Sequence, residues 1–272
     1  MERHIIRIKD IDIHYRKTGQ GPILFLLHPS PRSSKVFEPF MNFLSDQFTV
    51  FAFDLPGYGF SDALPVAPIS LQDYLPILDG FFSAFSVKKF NIYGSATGAQ
   101  LAIAYGKVYP QKVNYLFLDN AAHFEDAQKA AIIQDYFPDF SPQVDGFHAL
   151  KIWNHIKDSF LFFPWFDYKN GKKLSNGLPP AQIMNEVLID YLLSGKNWDS
   201  AYRLAFEHEK GENVVSLECK TIVFKWLGGI MLNFVEQLLA FDLPQNIEVK
   251  EISAMPQLRY EEMKHTFLNK IS

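Results

Sequence analysis

Residues 91–100 read Asn91-Ile92-Tyr93-Gly94-Ser95-Ala96-Thr97-Gly98-Ala99-Gln100. They join a short apolar run, Phe90–Tyr93, to a stretch with helical spacing over Ala96–Tyr109, where Leu101, Ala104 and Tyr105 share one face. A glycine stands two positions either side of Ala96. That spacing suits a sharp strand-to-helix bend whose central residue is strained and whose small flanks let strand and helix pack closely. The main-chain N–H of Thr97 would then open the helix and face a position favourable to negative charge.

Working outward, the chain alternates strand and helix signals. His4–Lys9 and Ile11–Arg16 alternate apolar and polar residues and predict a strand pair turning near Asp10. Ile23–Leu27, Phe48–Phe53 and Val113–Leu118 are continuous apolar runs, as expected of strands buried on both faces. Val36–Leu44 and Leu71–Phe85 have helical spacing. Strand, helix, strand with short connectors predicts right-handed crossovers and a mostly parallel central sheet with helices on both faces. The alternation stops after Asp119 and resumes with Thr221–Lys225 (strand), Phe234–Phe241 (helix), Ile247–Ile252 (strand) and Arg259–Ile271 (helix). The expectation is an α/β core over 1–123 and 218–272. A helical insert, 124–217, would lie as a cap over the carboxyl ends of the strands, where open parallel sheets bind ligands.

Composition narrows the classes of function. The 272 residues are 48% hydrophobic and 21% charged, enough apolar material for a sizeable core. A net charge of -4 leaves no basic footprint for nucleic acid and no polybasic membrane patch. No stretch approaches the roughly 20 apolar residues needed to span a bilayer. The N-terminus lacks a long apolar segment, and the single cysteine, Cys219, permits no intrachain disulfide. A cytoplasmic protein is expected. No His/Asp/Glu cluster has ligand spacing, and two glycines at Gly-x-x-x-Gly do not make a dinucleotide fingerprint. No metal or cofactor is therefore expected. Aromatic residues reach 15%, and Phe160-Leu161-Phe162-Phe163-Pro164-Trp165-Phe166-Asp167-Tyr168 concentrates them in the insert. Consecutive aromatic side chains cannot all point one way. Phe163 and Trp165 are thus candidates to line an apolar pocket as well as to pack the insert onto the sheet.

Two further segments carry a family likeness. Leu26-Leu27-His28-Pro29-Ser30-Pro31 and Phe53-Asp54-Leu55-Pro56-Gly57-Tyr58-Gly59-Phe60-Ser61-Asp62 precede the bend in order. With it they make the chain resemble the α/β-hydrolase superfamily, its lid-bearing dehalogenase and esterase-like branch. The first resembles that family's His-Gly oxyanion loop, the second its Asp-x-x-Gly-x-Gly-x-Ser turn, and the bend its nucleophile elbow. The likeness implies a Ser-His-acid triad and an oxyanion hole of main-chain N–H groups.

The triad positions depart from that pattern. Gly94, Ala96 and Gly98 put alanine at the nucleophile position, and a methyl group forms no covalent intermediate. The family's histidine follows the last strand, where Gln257 stands nearest, and glutamine does not cycle a proton near neutral pH. The usual acid loop reads Trp226-Leu227-Gly228-Gly229-Ile230. Some members, haloalkane dehalogenases among them, take the acid one strand earlier, where Asp119 stands. Asp119 reads either as that acid or as an aspartate tying down loops. His123, a short loop further on, is a candidate relocated base or a structural histidine. Thr97 N–H and Ser30 N–H are the expected oxyanion donors, since Pro29 and Pro31 have none. Ser95 and Thr97 are candidate pocket hydroxyls. His148, His155 and His208 read as solvated or packing residues.

Two functions stay open. One is hydrolysis of a small apolar ester-like substrate through a non-standard site. The other is binding of a small hydrophobic molecule without turnover, the route by which some relatives in the superfamily have become hormone receptors.

Overall fold

A computed structural model describes residues 1–271. In chain order the strands and α-helices are β1 (Glu2–Ile8), β2 (Ile11–Thr18), β3 (Ile23–Leu27), α1 (Glu38–Leu44), β4 (Thr49–Phe53), α2 (Leu75–Ser83), β5 (Phe90–Ser95), α3 (Thr97–Val108) and β6 (Val113–Asp119). There follow α4 (Asp126–Tyr136), α5 (Phe147–Leu161), β7 (Phe162–Phe163), β8 (Lys172–Lys173), α6 (Ala181–Ser194), α7 (Ser200–His208) and α8 (Gly211–Val215). β9 (Thr221–Trp226), α9 (Leu232–Leu239), β10 (Ile247–Ile252) and α10 (Pro256–Lys270) complete the order.

Eight strands form one sheet in the order β1-β2-β4-β3-β5-β6-β9-β10. β1 and β2 join antiparallel, and every pair from β4 to β10 is parallel. The apolar runs are explained by burial on both faces. Phe25, Leu27, Ile92, Leu116 and Leu118 point to a core shared with α2 and α3. Their neighbours Leu24, Leu26, Tyr93 and Phe117 point to a second core shared with α1 and α10. The strand period of two sorts one hydrophobic run into two cores.

Helices α4 to α8 lie between β6 and β9, with the expected loops and a two-strand ribbon, β7–β8, that the sequence pattern did not predict. Two-residue strands are too short to display a period. The last helix begins at Pro256, three residues before its expected start, because proline suits the first helical turn. No helix among the described residues is long and apolar enough to cross a membrane.

The loop after β3 is braced from beneath. Leu55 N–H donates to His28 Nε2 at 2.9 Å, and His28 Nδ1 lies 3.0 Å from the carbonyl of Pro29. Burial pushes the imidazole pKa down, so it stays neutral with Nδ1–H donating to that carbonyl. Asp54, fully buried at the end of β4, accepts from Ser34 N–H at 2.7 Å, Phe60 N–H at 2.9 Å and His14 Nδ1 at 2.9 Å. Burial acts to raise the Asp54 carboxyl, but these hydrogen bonds outweigh it and hold it at about 2.

Asp54→Ala is therefore expected to lower the unfolding free energy by about 3 kcal/mol in urea titrations at neutral pH. A depressed folded-state value stabilises the fold above the ordinary 3.8. In the wild type this contribution is lost as the pH falls toward about 2.

Candidate active site

The bend at 94–98 is set by how closely three elements approach. A Cβ built on Gly98 would lie 2.0 Å from the carbonyl oxygen of Leu27 in β3, and one on Gly94 would lie 2.2 Å from that of Gly98. Only glycine fits either place. Ala96 sits between them at φ 49°, ψ -112°, a region costly for a residue with a side chain. Its N–H donates to the Asp119 carbonyl at 2.9 Å, and its own carbonyl accepts from Gln100 N–H at 3.1 Å. Ala96 is thereby fixed at the mouth of α3.

Ala96 lines a cavity of about 360 Å³. One wall comes from the carboxyl ends of the strands: Pro29–Arg32 after β3, Ser95–Thr97 after β5 and Asn120 after β6. The other comes from the helical segment between β6 and β9, with Tyr136, His155, Phe163, Trp165, Phe206 and Glu209 among its residues. The cavity is mostly apolar and aromatic.

The predicted site residues divide sharply. Ser95, Ala96, Thr97, Ser30, Phe163 and Trp165 line the cavity together. Two of them are arranged otherwise than expected. Ser30 N–H donates to Thr97 Oγ1 at 3.3 Å, so the second expected main-chain donor is already engaged by a side chain. Ser30 Oγ is buried and unpartnered.

Asp119 ends β6 beside Ser95 but is 1% exposed and is absent from the cavity wall. Its Oδ2 accepts from Tyr93 Oη at 2.6 Å, from Ser95 Oγ at 3.3 Å and from the Arg259 guanidinium. Arg259 in turn lies 4.3 Å over the Trp226 ring. The carboxylate is thus closed into a buried ion pair with Arg259. Sequence inspection overlooked Arg259 because it falls one helical turn into α10.

His123 does not reach the cavity. Its Nδ1 accepts from Gly211 N–H at 3.1 Å, and its ring faces a separate cleft with Glu125 and Lys210. The short loop from Asp119 carries it away from Ala96, which removes it as a base. Gln257 is exposed in the first turn of α10 and also lies outside the cavity wall.

Other polar groups occupy the wall. His155 is 5% exposed rather than solvated, and burial depresses it to about 4. Its Nε2 lies 2.8 Å from Tyr191 Oη and its Nδ1 has no partner. Tyr136 and Tyr202 share a hydrogen bond of 2.8 Å. Glu209 is buried, which raises its carboxyl to about 8. A signal for part of this set was present: Tyr202, Ala205, Phe206 and Glu209 fall at i, i+3, i+4 and i+7, one face of α7 and its cap.

Comparison with known proteins agrees with the architecture. Residues 22–156 match the family model described as alpha/beta hydrolase fold. An uncharacterised hydrolase of Saccharomyces cerevisiae is 28% identical over 130 residues, covering 45% of this chain and 43% of the yeast protein. The 2-(acetamidomethylene)succinate hydrolase of Mesorhizobium japonicum is 32% identical over 108 residues, 40% of this chain and 38% of that protein. The chain thus matches about two-fifths of the length of these curated relatives. An esterase structure from Thermogutta terrifontis superposes with a TM-score of 0.70 at 16% identity, covering 100% of both chains. A Vigna radiata epoxide hydrolase mutant gives a TM-score of 0.70 at 16% identity over 99% of this chain and 98% of that one. The chain has the α/β-hydrolase fold, and its residues 22–156 match that family's model.

Arg259→Leu leaves Asp119 buried without its cation and is expected to cost about 3 kcal/mol in urea unfolding. Adding Asp119→Asn to Arg259→Leu removes the stranded charge and should recover part of that loss, a coupling measurable as a double-mutant cycle.

Proposed function

We propose that the chain binds a small, largely apolar molecule between the strand ends and the helical cap, without forming a covalent intermediate. The observation that carries this reading is the methyl group of Ala96 at the apex of the bend, lining the cavity. Nothing around it supplies the missing chemistry. Asp119 is held by Arg259, and His123 faces another cleft. The one histidine in the wall, His155, is kept neutral and shares its Nε2 with Tyr191. Thr97 N–H heads α3 as one oxyanion-type donor, while Ser30 N–H meets Thr97 Oγ1. A donor pair blocked in this way suits recognition of a ligand more than stabilisation of a tetrahedral oxyanion, which needs preorganised free donors. A cytoplasmic setting fits the single buried thiol, Cys219.

The relatives named as hydrolases favour a second reading, hydrolysis, here of a small apolar ester-like substrate suited to the aromatic walls, by water activated inside the cavity. Triad-deleted hydrolases retain rates of about 10³–10⁴ over water through binding and oxyanion stabilisation alone.

A panel of short p-nitrophenyl esters separates the two. Under the binding reading neither the wild type nor Ala96→Ser turns them over above buffer, because a new hydroxyl finds no imidazole. A saturating apolar ligand, at about a hundred times its Kd, stabilises the wild type by about 2.7 kcal/mol in thermal unfolding. Wild-type turnover that disappears in Asp119→Ala, or strong activity from Ala96→Ser alone, would sink the binding reading.

A further inference from the structure

Glu209 stands in the cavity wall without a countercharge. It caps the C-terminus of α7, is 5% exposed, and is the only acid lining the cavity among the described residues. The nearest cation, Lys129 on α4, is turned to the main chain. Its ammonium donates to the Glu209 carbonyl at 2.6 Å and lies 3.5 Å from that of Glu207. Arg32, the cation across the cavity, is tied to Asp190 at 2.7 Å.

Buried polar groups stand close to the carboxyl. Gln100 sits on α3 one turn after Ala96 and is 1% exposed. Its Oε1 lies 2.9 Å from His208 Nδ1. Burial keeps His208 neutral, at about 4, and an amide oxygen only accepts, so Nδ1 carries the hydrogen. That fixes the Gln100 amide with its NH₂ available to the Glu209 carboxyl. The remaining groups that face Glu209 are the paired hydroxyls of Tyr136 and Tyr202, both raised far above their ordinary range by burial. Burial likewise raises Glu209, to about 8, so at neutral pH it is a carboxylic acid with one O–H to donate.

We propose that Glu209 donates a hydrogen bond to the acceptor of a bound uncharged molecule, so that the cavity selects neutral carbonyl compounds over shape-matched hydrocarbons and over carboxylates. The proposal rests on the cavity holding a ligand, as argued above, and adds which chemistry it reads. With Arg32 engaged by Asp190, no free cation awaits an anionic head group. The apolar walls, Phe163 and Phe206 among them, suit an aryl or alkyl body.

Three probes of similar shape test this by calorimetry on the full chain: acetophenone, α-methylstyrene and benzoate. At about pH 6 the wild type should bind acetophenone about fivefold tighter than α-methylstyrene, the worth of one hydrogen bond. Benzoate should bind weaker than acetophenone. At about pH 9.5, with Glu209 ionised, the preference for acetophenone should vanish. Glu209→Gln keeps a donor and should keep the preference at both pH values. Glu209→Leu should bind both neutral probes equally at both. A second readout needs no ligand. The folded chain holds this proton to about 8 against an ordinary 4.5, so the contribution to stability is full below 4.5 and falls as the pH rises through 8. The thermal midpoint of the wild type should drop over that range relative to Glu209→Gln.

Equal binding of acetophenone and α-methylstyrene by the wild type at about pH 6 overturns the role of Glu209 and leaves the binding reading standing. So does tighter binding of benzoate. A pH-dependent preference that persists in Glu209→Gln assigns the titration to Lys129 and also overturns it. Failure of all three probes to bind overturns the binding reading and this proposal together.

Discussion

The structure turns on one steric constraint, the approach of α3 to the middle of the sheet. At Gly98 the helix backbone runs so close to the Leu27 carbonyl that no side chain fits, and Gly94 stands in the same relation to Gly98. With both ends of the bend pinned, Ala96 has no choice of conformation. Its positive φ follows from its neighbours, and its N–H meets the Asp119 carbonyl. What the bend presents to the cavity is then decided by a single side chain. A serine there would be aimed by the same constraint; alanine presents a methyl group. The strain is inherited by the fold whether or not chemistry uses it.

The strain survives because the rest of the structure over-determines it. The β3 loop opposite Ala96 is clamped through neutral His28, which joins the Leu55 N–H to the Pro29 carbonyl. Asp54 ties the same region to the loop at Phe60 and to Ser34. These contacts keep Ser30 next to Thr97, which is why the Ser30 N–H finds the Thr97 hydroxyl. The same geometry that places a donor beside α3 lets a side chain from α3 cover it.

Much of this was legible in the sequence, for identifiable reasons. Strands buried on both faces announce themselves as apolar runs, so β3, β4, β5 and β6 were readable almost to the residue. The glycines at 94 and 98 report a backbone approach that depends on no distant residue. The site was legible on the side that the local motifs build: Ser30, Ser95, Ala96 and Thr97 come from turns whose shape is encoded in a few consecutive positions. The other wall was less so. Arg259 reaches Asp119 across 140 residues, and His208 meets Gln100 across 108. Such pairings leave no trace in local spacing. His123 shows the reverse error: closeness in sequence to Asp119 suggested closeness in space, and the loop turned the other way. The match to the family model, residues 22–156, also ends before the usual acid loop at 226–230 and the histidine position near Gln257.

The charges of the site follow a consistent division. On the sheet side, Asp119 is paired with Arg259, itself held against Trp226, and Ala96 presents a methyl group. On the helical side two polar groups are left without such a partner. His155 Nδ1 is unpartnered and Glu209 lacks an ion pair, and burial keeps both neutral at pH 7. Burying a neutral acid or imidazole is far less costly than burying its charged form. A cavity lined this way can hold hydrogen-bonding groups among aromatic rings without importing water or counterions. In the binding reading proposed above, such a wall would discriminate among uncharged molecules by one or two hydrogen bonds rather than move a proton through a covalent cycle, which needs a base poised to change its charge.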